Sequence, residues 1–149
     1  MKMRLLLTLA ALVIGFGVPA LAQEQNTVDP EVRQQIEAVL TKYEDAYNKN
    51  DAAAIAALYT AEAAEVFDEY TAGGGSASGR EAIQQTYAGQ FAPSPIKLSL
   101  KLIQVYAIGD DVCAVSEFSR HLHSGKGYNA KILVREPDGW KIRMAYTTF

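Results

Sequence analysis

The sequence is poor in the features that mark several large classes of protein. It contains one cysteine, Cys113, so no disulfide can form within the chain. Its 14 Lys and Arg are outnumbered by 17 Asp and Glu, and a chain without a basic run is a poor candidate for binding nucleic acid. His121 and His123 share a strand face, but no Asp or Glu stands at a matching spacing. No metal or cofactor site is therefore predicted.

The first 22 residues have the pattern of a secretory signal peptide. Lys2 and Arg4 precede an uncharged apolar run, which ends in small residues at Ala22. The alternative is a membrane anchor, but the run is short for the about 20 residues that span a bilayer. We expect cleavage after Ala22 and a periplasmic or secreted protein that has no membrane attachment afterwards. The single domain is expected to cover residues 23–149.

The C-terminal part of the chain alternates apolar and polar residues, as β-strands do. Strands are predicted over 96–108, 112–123, 128–136 and 140–146. Their short connections make neighbouring strands antiparallel, and the pattern favours a three-residue turn beginning at Gly109. The residues expected on the covered face are Leu98, Leu100, Leu102, Tyr106, Ile108, Val112, Ala114, Phe118, Tyr128, Ala130, Ile132, Val134, Trp140, Ile142, Met144 and Tyr146.

The opposite face of this predicted sheet is charged but also partly apolar. It is expected to carry Ile103, Val105, Val115 and Leu133 among lysines and arginines. Exposed apolar patches often mark surfaces that contact a partner. We therefore expect a homodimer through this outer face, in which both copies use the same surface.

The N-terminal part of the mature chain predicts helices. Asp29 and Asp51 are suited to cap the first two, because their side chains can accept hydrogen bonds from free backbone N–H groups. The predicted elements are helices over 30–47, 52–59 and 80–91 and a short strand over 65–68. Helices that precede a run of strands predict an α+β domain, with a curved, mostly antiparallel sheet wrapped around the N-terminal helices.

This order of elements resembles the nuclear transport factor 2-like superfamily, which includes the ketosteroid isomerases and the SnoaL-like polyketide cyclases. The motifs that carry the resemblance are Tyr43-x3-Tyr47-Asn48-x2-Asp51-x3-Ile55-x2-Leu58-Tyr59, Gly79-Arg80-x2-Ile83 and Asp138-Gly139-Trp140-Lys141-Ile142. The resemblance covers the mature chain from Val32 to Tyr146. It implies a cone-shaped, cystatin-like fold, which hosts many unrelated activities.

The resemblance also implies candidate catalytic residues. Ketosteroid isomerases use a tyrosine on the first helix, a protonated aspartic acid on a late strand and an aspartate that moves the proton. Tyr43 falls at the tyrosine position, and Asp68 lies one residue from the position of the base. No Asp or Glu lies between Tyr128 and Arg135, where the late-strand acid would stand, so steroid isomerisation is not expected. Tyr43 and Asp68 also have structural alternatives, as a core tyrosine and a turn aspartate.

Arg120 is the candidate anchor for a ligand. Its alternation with Phe118 directs it toward the covered face, where a guanidinium needs an anion, either from a protein carboxylate such as Asp68 or from a ligand. The expected function is the binding of a small apolar or amphipathic molecule in an apolar cavity. The alternatives are an isomerase, cyclase or dehydratase that uses Asp68 as general base, and an assembly domain. The candidate ligand-binding residues are Arg120, Tyr47, Tyr87, Leu98, Leu100, Phe118, Ile132 and Met144.

Overall fold

A computed structural model describes residues 28–68, 74–93, 97–120 and 126–148 of the chain. The described elements are, in order, α1 (Pro30–Asn48), α2 (Ala52–Ala57), β1 (Tyr59–Phe67), β2 (Gly75–Ser78), α3 (Arg80–Phe91), β3 (Leu98–Ile108), β4 (Asp111–Arg120), β5 (Lys126–Glu136) and β6 (Gly139–Thr148). The predicted signal peptide lies outside the described residues, as do His121 and His123. None of the helices described is long and apolar enough to cross a membrane.

The described strands form one curved, unclosed sheet in the order β2-β1-β6-β5-β4-β3. All neighbouring strands are antiparallel except β1 and β6, which run parallel. The helices lie against one face of the sheet, the inner face, and fully buried aliphatic side chains fill the space between: Ile36, Ile55, Ile83, Leu133 and Ile142. The predicted α+β fold, with a mostly antiparallel sheet and N-terminal helices, is confirmed.

The N-terminal elements follow their predicted caps but differ in length. Asp29 and Asp51 both accept hydrogen bonds from backbone N–H groups in the first turn of their helices. The second helix ends at Ala57, before the predicted end, because Tyr59 begins a strand that pairs with β6. The strand predicted over 65–68 is the end of this longer strand β1, and β2 pairs with it inside the stretch predicted as a loop.

The turn between β3 and β4 differs from the prediction. Ile108 pairs with Asp111, so only Gly109 and Asp110 form the turn. A shift of register between Leu102 and Gln104 then exchanges the two faces of β3. One extra residue in a strand reverses the facing of everything after it. Tyr106 and Ile108, predicted inside, are therefore about half exposed on the outer face, whereas Val105, predicted outside, is buried.

The facing of β5 was predicted wrongly. Asn129, Lys131 and Leu133 are buried on the inner face, whereas Tyr128 and Ile132 lie on the outer face. We predicted that the more apolar of the two alternating sets of residues, the one that contains Tyr128 and Ile132, faces the interior. In this strand the more apolar set faces outward, because polar residues occupy the middle of the inner face.

The last strand changes its facing halfway. Trp140 and Ile142 are buried as predicted, but a register shift against β5 then places Ala145 and Thr147 inside. Met144 and Tyr146 consequently lie outside and are 42% and 44% exposed. Their predicted place on the covered face is therefore wrong, and the cause is again one irregular step in the ladder.

Side chains of α1 cover the backbone of β3, which is an edge strand of the sheet. The side-chain amide of Asn48 donates to the Leu98 carbonyl and accepts from the Leu98 N–H, at 2.9 and 2.8 Å. One carboxylate oxygen of Glu44 accepts from the Leu100 N–H at 2.8 Å. Edge-strand groups that would otherwise be free for another chain are thus hydrogen bonded within the domain.

Candidate functional site

Polar side chains cross the middle of the inner face of the sheet. Asn129 of β5 pairs with Ser116 of β4 on one side and with Thr147 of β6 on the other. In the adjacent row Lys131 and Glu65 flank the small residue Ala145, which pairs with both. Glu65 and Ser116 are fully buried and the other polar residues of these rows are at most 6% exposed. So many buried polar groups favour a binding or catalytic site, since a stable core needs none of them.

A chain of hydrogen bonds connects Glu65 with α3 and α1. The Tyr87 hydroxyl is 2.6 Å from Oε1 of Glu65, and the Tyr43 hydroxyl is 2.6 Å from that of Tyr87. Burial raises the pKa of Glu65, whereas the Tyr87 hydrogen bond and the Lys131 charge lower it. Burial also raises the pKa of Tyr43 and Tyr87 well above the ordinary value, and the nearby Glu65 charge adds to this effect. Both tyrosines therefore keep their protons and can act as hydrogen-bond donors.

Lys131 is a buried cation beside this chain. Its ammonium nitrogen lies 4.6 Å from the centre of the Tyr43 ring, which is a cation–π contact. Burial lowers the pKa of Lys131 to about 8, although the Glu65 charge acts in the opposite direction. The site therefore holds an acid and a base whose charges are both disfavoured by burial.

A small cavity opens next to the tyrosines, between α1, α3 and the sheet. Its lining consists of Tyr43, Tyr47, Phe67, Tyr87, Leu98, Phe118, Arg120, Asn129 and Thr147. Its volume is about 10 Å³, which admits one water molecule. The predicted apolar cavity is thus aromatic and partly polar, and it is much smaller than a typical ligand site.

Two polar atoms of this lining have no hydrogen-bonding partner among the described residues. They are the Tyr47 hydroxyl and Oδ1 of Asn129, and their side chains are 1% and 5% exposed. Burial without a partner costs about 1–3 kcal/mol for such groups. A water molecule or the polar group of a ligand in the cavity would satisfy both atoms.

Most of the candidate residues meet at this cavity. Tyr43, Tyr47, Tyr87, Leu98, Phe118 and Arg120 all contribute to its lining. The Arg120 guanidinium lies 5.5 Å from the centre of the Phe118 ring. Leu100 is on the inner face but borders a separate groove beside α1. Ile132 and Met144 lie on the outer face, so the structure removes them from the site.

Asp68 is not part of the cavity lining. Its carboxylate accepts a hydrogen bond from the Thr148 hydroxyl, and its backbone N–H donates to the Thr147 carbonyl at 3.1 Å. Alternation along β1 places it on the side opposite Phe67, which does line the cavity. The structure therefore does not bring Asp68 and Tyr43 together, and the interior acid of this strand is Glu65.

The sequence analysis did not identify four buried polar residues of the site: Glu65, Asn129, Lys131 and Thr147. The signal for Glu65 was available, because it alternates with Ala63 and Phe67 on one side of β1. Lys131 was assigned to the outer face because polar residues normally face solvent, and alternation along β5 then places Asn129 on that face too. The signal there was misleading, since the outer face of β5 is the more apolar one.

Three further grooves are formed by the described residues, and their linings do not include the buried polar rows of the sheet. A broad open groove of about 670 Å³ lies at the start of α3, where its lining includes Gly79, Arg80 and Glu81. Two smaller grooves of about 300 and 310 Å³ border α1 and β2. Within the described parts of the chain, no three His, Cys, Asp or Glu side chains come close enough to hold a metal ion.

Comparison with known proteins places this geometry in a family. A domain of unknown function with a cystatin-like fold from Nostoc punctiforme has a TM-score of 0.70 and 16% identity, over 81% of this chain and 78% of that chain. A nuclear transport factor 2-like protein of unknown function from Shewanella oneidensis has a TM-score of 0.67 and 16% identity, over 79% and 99% of the chains.

A third similar structure, a nuclear transport factor 2-like protein with a cystatin-like fold from Novosphingobium aromaticivorans, has a TM-score of 0.64 and 20% identity, over 78% and 80% of the chains. At these identities the similarity shows the fold alone. No curated protein matches the sequence significantly. The sequence profile of the AtzH-like family, however, matches residues 25–149. The chain therefore belongs to the AtzH-like family and has the nuclear transport factor 2-like fold expected from its sequence motifs.

Proposed function

We propose that this chain is a binding domain for a small molecule whose polar head group enters the cavity between Tyr47, Arg120 and Asn129. The observation that carries the proposal is the pair of buried, unpartnered atoms, the Tyr47 hydroxyl and Oδ1 of Asn129, in one cavity. A buried polar group without a partner is destabilising, so its retention supports a role in recognition.

The chemistry of the lining defines the head group. Arg120 is a permanent cation and donates hydrogen bonds, the Tyr47 hydroxyl donates or accepts, and Oδ1 of Asn129 accepts. A carboxylic acid, an enol or a phenol offers matching groups. Because the cavity admits little more than one water molecule, only this head group fits inside, and the apolar part of the ligand lies at the rim beside Leu98 and Phe118.

The alternative function, an isomerase, cyclase or dehydratase, has weaker support. A general base must lie within hydrogen-bonding reach of the proton that it removes. Asp68 does not line the cavity, and the hydrogen-bond chain from Glu65 reaches the lining at Tyr87 and Tyr43. The arrangement supports binding better than it supports direct proton abstraction.

The test is a calorimetric and thermal-shift screen of small carboxylates, enols and phenols against the wild type and Arg120→Met. The substitution keeps much of the volume and removes the charge. Affinity for the hits is expected to decrease by about 1.5–3 kcal/mol, the usual contribution of a charged hydrogen bond, with a much smaller change in the free energy of unfolding.

Arg33→Met is the matched control, because Arg33 pairs with Glu37 on α1 and is not part of the cavity lining. It should leave every affinity unchanged. Equal affinity of Arg120→Met and the wild type for all hits would contradict the proposed site. Loss of the folded state in Arg120→Met would instead identify the arginine as a structural group.

A further inference from the structure

The chain of hydrogen bonds from Glu65 through Tyr87 to Tyr43 can run in two directions. An ionised carboxylate only accepts hydrogen bonds, whereas a protonated carboxyl group also donates one. A tyrosine hydroxyl has one proton to donate and can accept at its oxygen. The proton on Glu65 therefore decides which way every hydroxyl along the chain is turned.

With Glu65 ionised, Tyr87 donates to Oε1 of Glu65 and Tyr43 donates to Tyr87. The Tyr43 proton is then engaged, and only its oxygen remains to accept a hydrogen bond. With Glu65 protonated, the carboxyl group donates to Tyr87 and Tyr87 donates to Tyr43. The Tyr43 proton is then free to be donated to another group.

The proton is best placed on the oxygen that faces Tyr87. Oε1 has Tyr87 as a partner at 2.6 Å, whereas Oε2 makes no comparably close hydrogen bond among the described residues. A proton on Oε1 keeps the hydrogen bond and reverses its direction. Because burial disfavours the anion, the pKa of Glu65 is raised, so its protonated form persists to higher pH than that of an exposed glutamic acid.

Tyr43 and Tyr87 both line the cavity. The direction of the hydrogen bonds between Glu65, Tyr87 and Tyr43 therefore decides whether the Tyr43 hydroxyl can donate or only accept a hydrogen bond at the binding site. We infer that Glu65 is a specificity-determining residue that never touches the ligand: protonated, it selects a ligand with a hydrogen-bond acceptor at Tyr43, and ionised, it selects a ligand with a donor. The inference rests on the proposed binding function. It adds that acceptor ligands bind with uptake of a proton and donor ligands with release of one.

The groups that face Glu65 come from five elements. The hydroxyls of Tyr87 on α3 and Tyr59 on β1 both favour the anion by hydrogen bonding, Tyr87 more strongly. Lys131 of β5 and Arg120 of β4 supply positive charge that also favours the anion. Tyr43 of α1 is the next hydroxyl along the chain. Lys131 itself loses its proton near pH 8, so the measurements belong below that pH.

The binding test uses two neutral five-membered rings of similar size. Cyclopentanone only accepts a hydrogen bond and pyrrole only donates one through its N–H. Affinities measured by ligand-observed NMR below the Lys131 pKa should move in opposite directions with pH. Cyclopentanone should bind roughly 2- to 12-fold more weakly when Glu65 is ionised, which corresponds to the loss of one neutral hydrogen bond, and pyrrole should bind more tightly by a similar factor.

Glu65→Gln and Tyr87→Phe should both abolish this pH dependence, because the first removes the titrating proton and the second breaks the chain. Glu62→Gln is the matched control, since Glu62 is an exposed acid on the same strand, and it should keep the wild-type dependence. If both rings bind but Glu65→Gln retains the opposite pH trends, the inference is wrong while the binding function stands.

A second measurement needs no ligand. With the hydroxyl-bearing ring carbon of tyrosine labelled with ¹³C, the resonances of Tyr43 and Tyr87 should shift in acid with one shared midpoint in the wild type and remain constant in Glu65→Gln. If no ring compound binds at any pH, the binding proposal fails and these resonances still decide whether the chain reverses. If the chemical shift of Tyr43 stays constant while Glu65 titrates, the inference is wrong.

Discussion

One cross-strand row on each face of the sheet departs from the usual distribution of polarity. The inner face, beneath the helices, carries Lys131 and Glu65 in one cross-strand row. The outer face carries an uninterrupted cross-strand row of Tyr106, Cys113, Ile132 and Met144. Protein interiors are normally apolar and charged groups normally face water. This departure on both sides is consistent with the two proposals made for the sheet, a ligand on the inner face and a second copy on the outer face.

The largest expected effect tests which side of β5 is the interior. Leu133 is fully buried and Ile132, its neighbour, lies on the outer face. Leu133→Ala should reduce the free energy of unfolding by about 2–5 kcal/mol, because it leaves a cavity in the core. Ile132→Ala should cost less than about 1.5 kcal/mol, since its side chain is only partly buried.

Urea denaturation at low protein concentration would measure both changes. Low concentration keeps any association through the outer face from adding to the stability of the Ile132 variant. An equal loss in the two variants would contradict the assignment of the two faces.

The next largest effect is the pH dependence of stability that the buried Lys131 causes. Lys131 has a pKa of about 8 in the folded protein, lowered from an ordinary value of 10.5. Between these values the unfolded chain binds more protons than the folded one, so this group makes stability increase as pH rises and contributes nothing favourable below them. At about 1.4 kcal/mol per pKa unit, the gain relative to Lys131→Met approaches about 3 kcal/mol.

The measurement is the difference in unfolding free energy between the wild type and Lys131→Met across this pH window. Tyrosine ionisation in the unfolded chain affects both proteins equally and cancels in the difference. Lys42→Met, an exposed lysine on α1, is the control and should show no such dependence. A flat difference for Lys131→Met would mean that the lysine is not desolvated.

The smallest effect on the fold concerns the outer face, where we propose that a second copy binds. Six large apolar side chains among the described residues are at least 42% exposed: Ile103, Tyr106, Ile108, Tyr128, Met144 and Tyr146. Positive and negative side chains both lie on this side of the sheet, where Arg143 pairs with Asp111 and Lys126 pairs with Glu117. A surface that contacts its own copy needs charges of both signs. The dimer through this face stays a prediction, and two of the residues expected to form it, Val105 and Leu133, are core residues instead.

Met144→Asp should convert a dimer to a monomer with little change in the unfolding of the single copy. Sedimentation equilibrium measures the mass, and Ala38→Asp on the exposed side of α1 is the control that should leave it unchanged. A wild-type mass of one chain at high concentration would contradict the proposal. Aspartate at Val105 is unsuitable as a test, because that buried position would unfold the domain.

The sequence sufficed for the fold because its signals are local. Alternation along β4 placed Val112, Phe118 and Arg120 correctly, and Asp29 and Asp51 cap the helices as expected. The prediction of which face of the sheet a residue lies on failed where the strict alternation of side chains along a strand is interrupted. The bulge in β3 and the register shift beside Met144 each invert a pattern without changing its period.

The candidate site was only half predictable for a different reason. Tyr43, Tyr47 and Arg120 were found because each combines a polar group with an interior position. The link from Tyr43 to Tyr87 and on to Glu65 joins residues 44 and 22 positions apart, so it depends on how α1 and α3 settle on the sheet. No periodic pattern along the chain records such a contact.

The contacts from Glu44 and Asn48 to the edge strand limit the ways in which copies of this protein could associate. The edge of β3 is occupied at Leu98 and Leu100 by side chains of the first helix, and the strand at the other end, β2, is only four residues long. A sheet whose edges are blocked does not extend from one molecule to the next. Association through a face related by a twofold axis closes on itself, so growth stops at two copies and open-ended filaments are avoided.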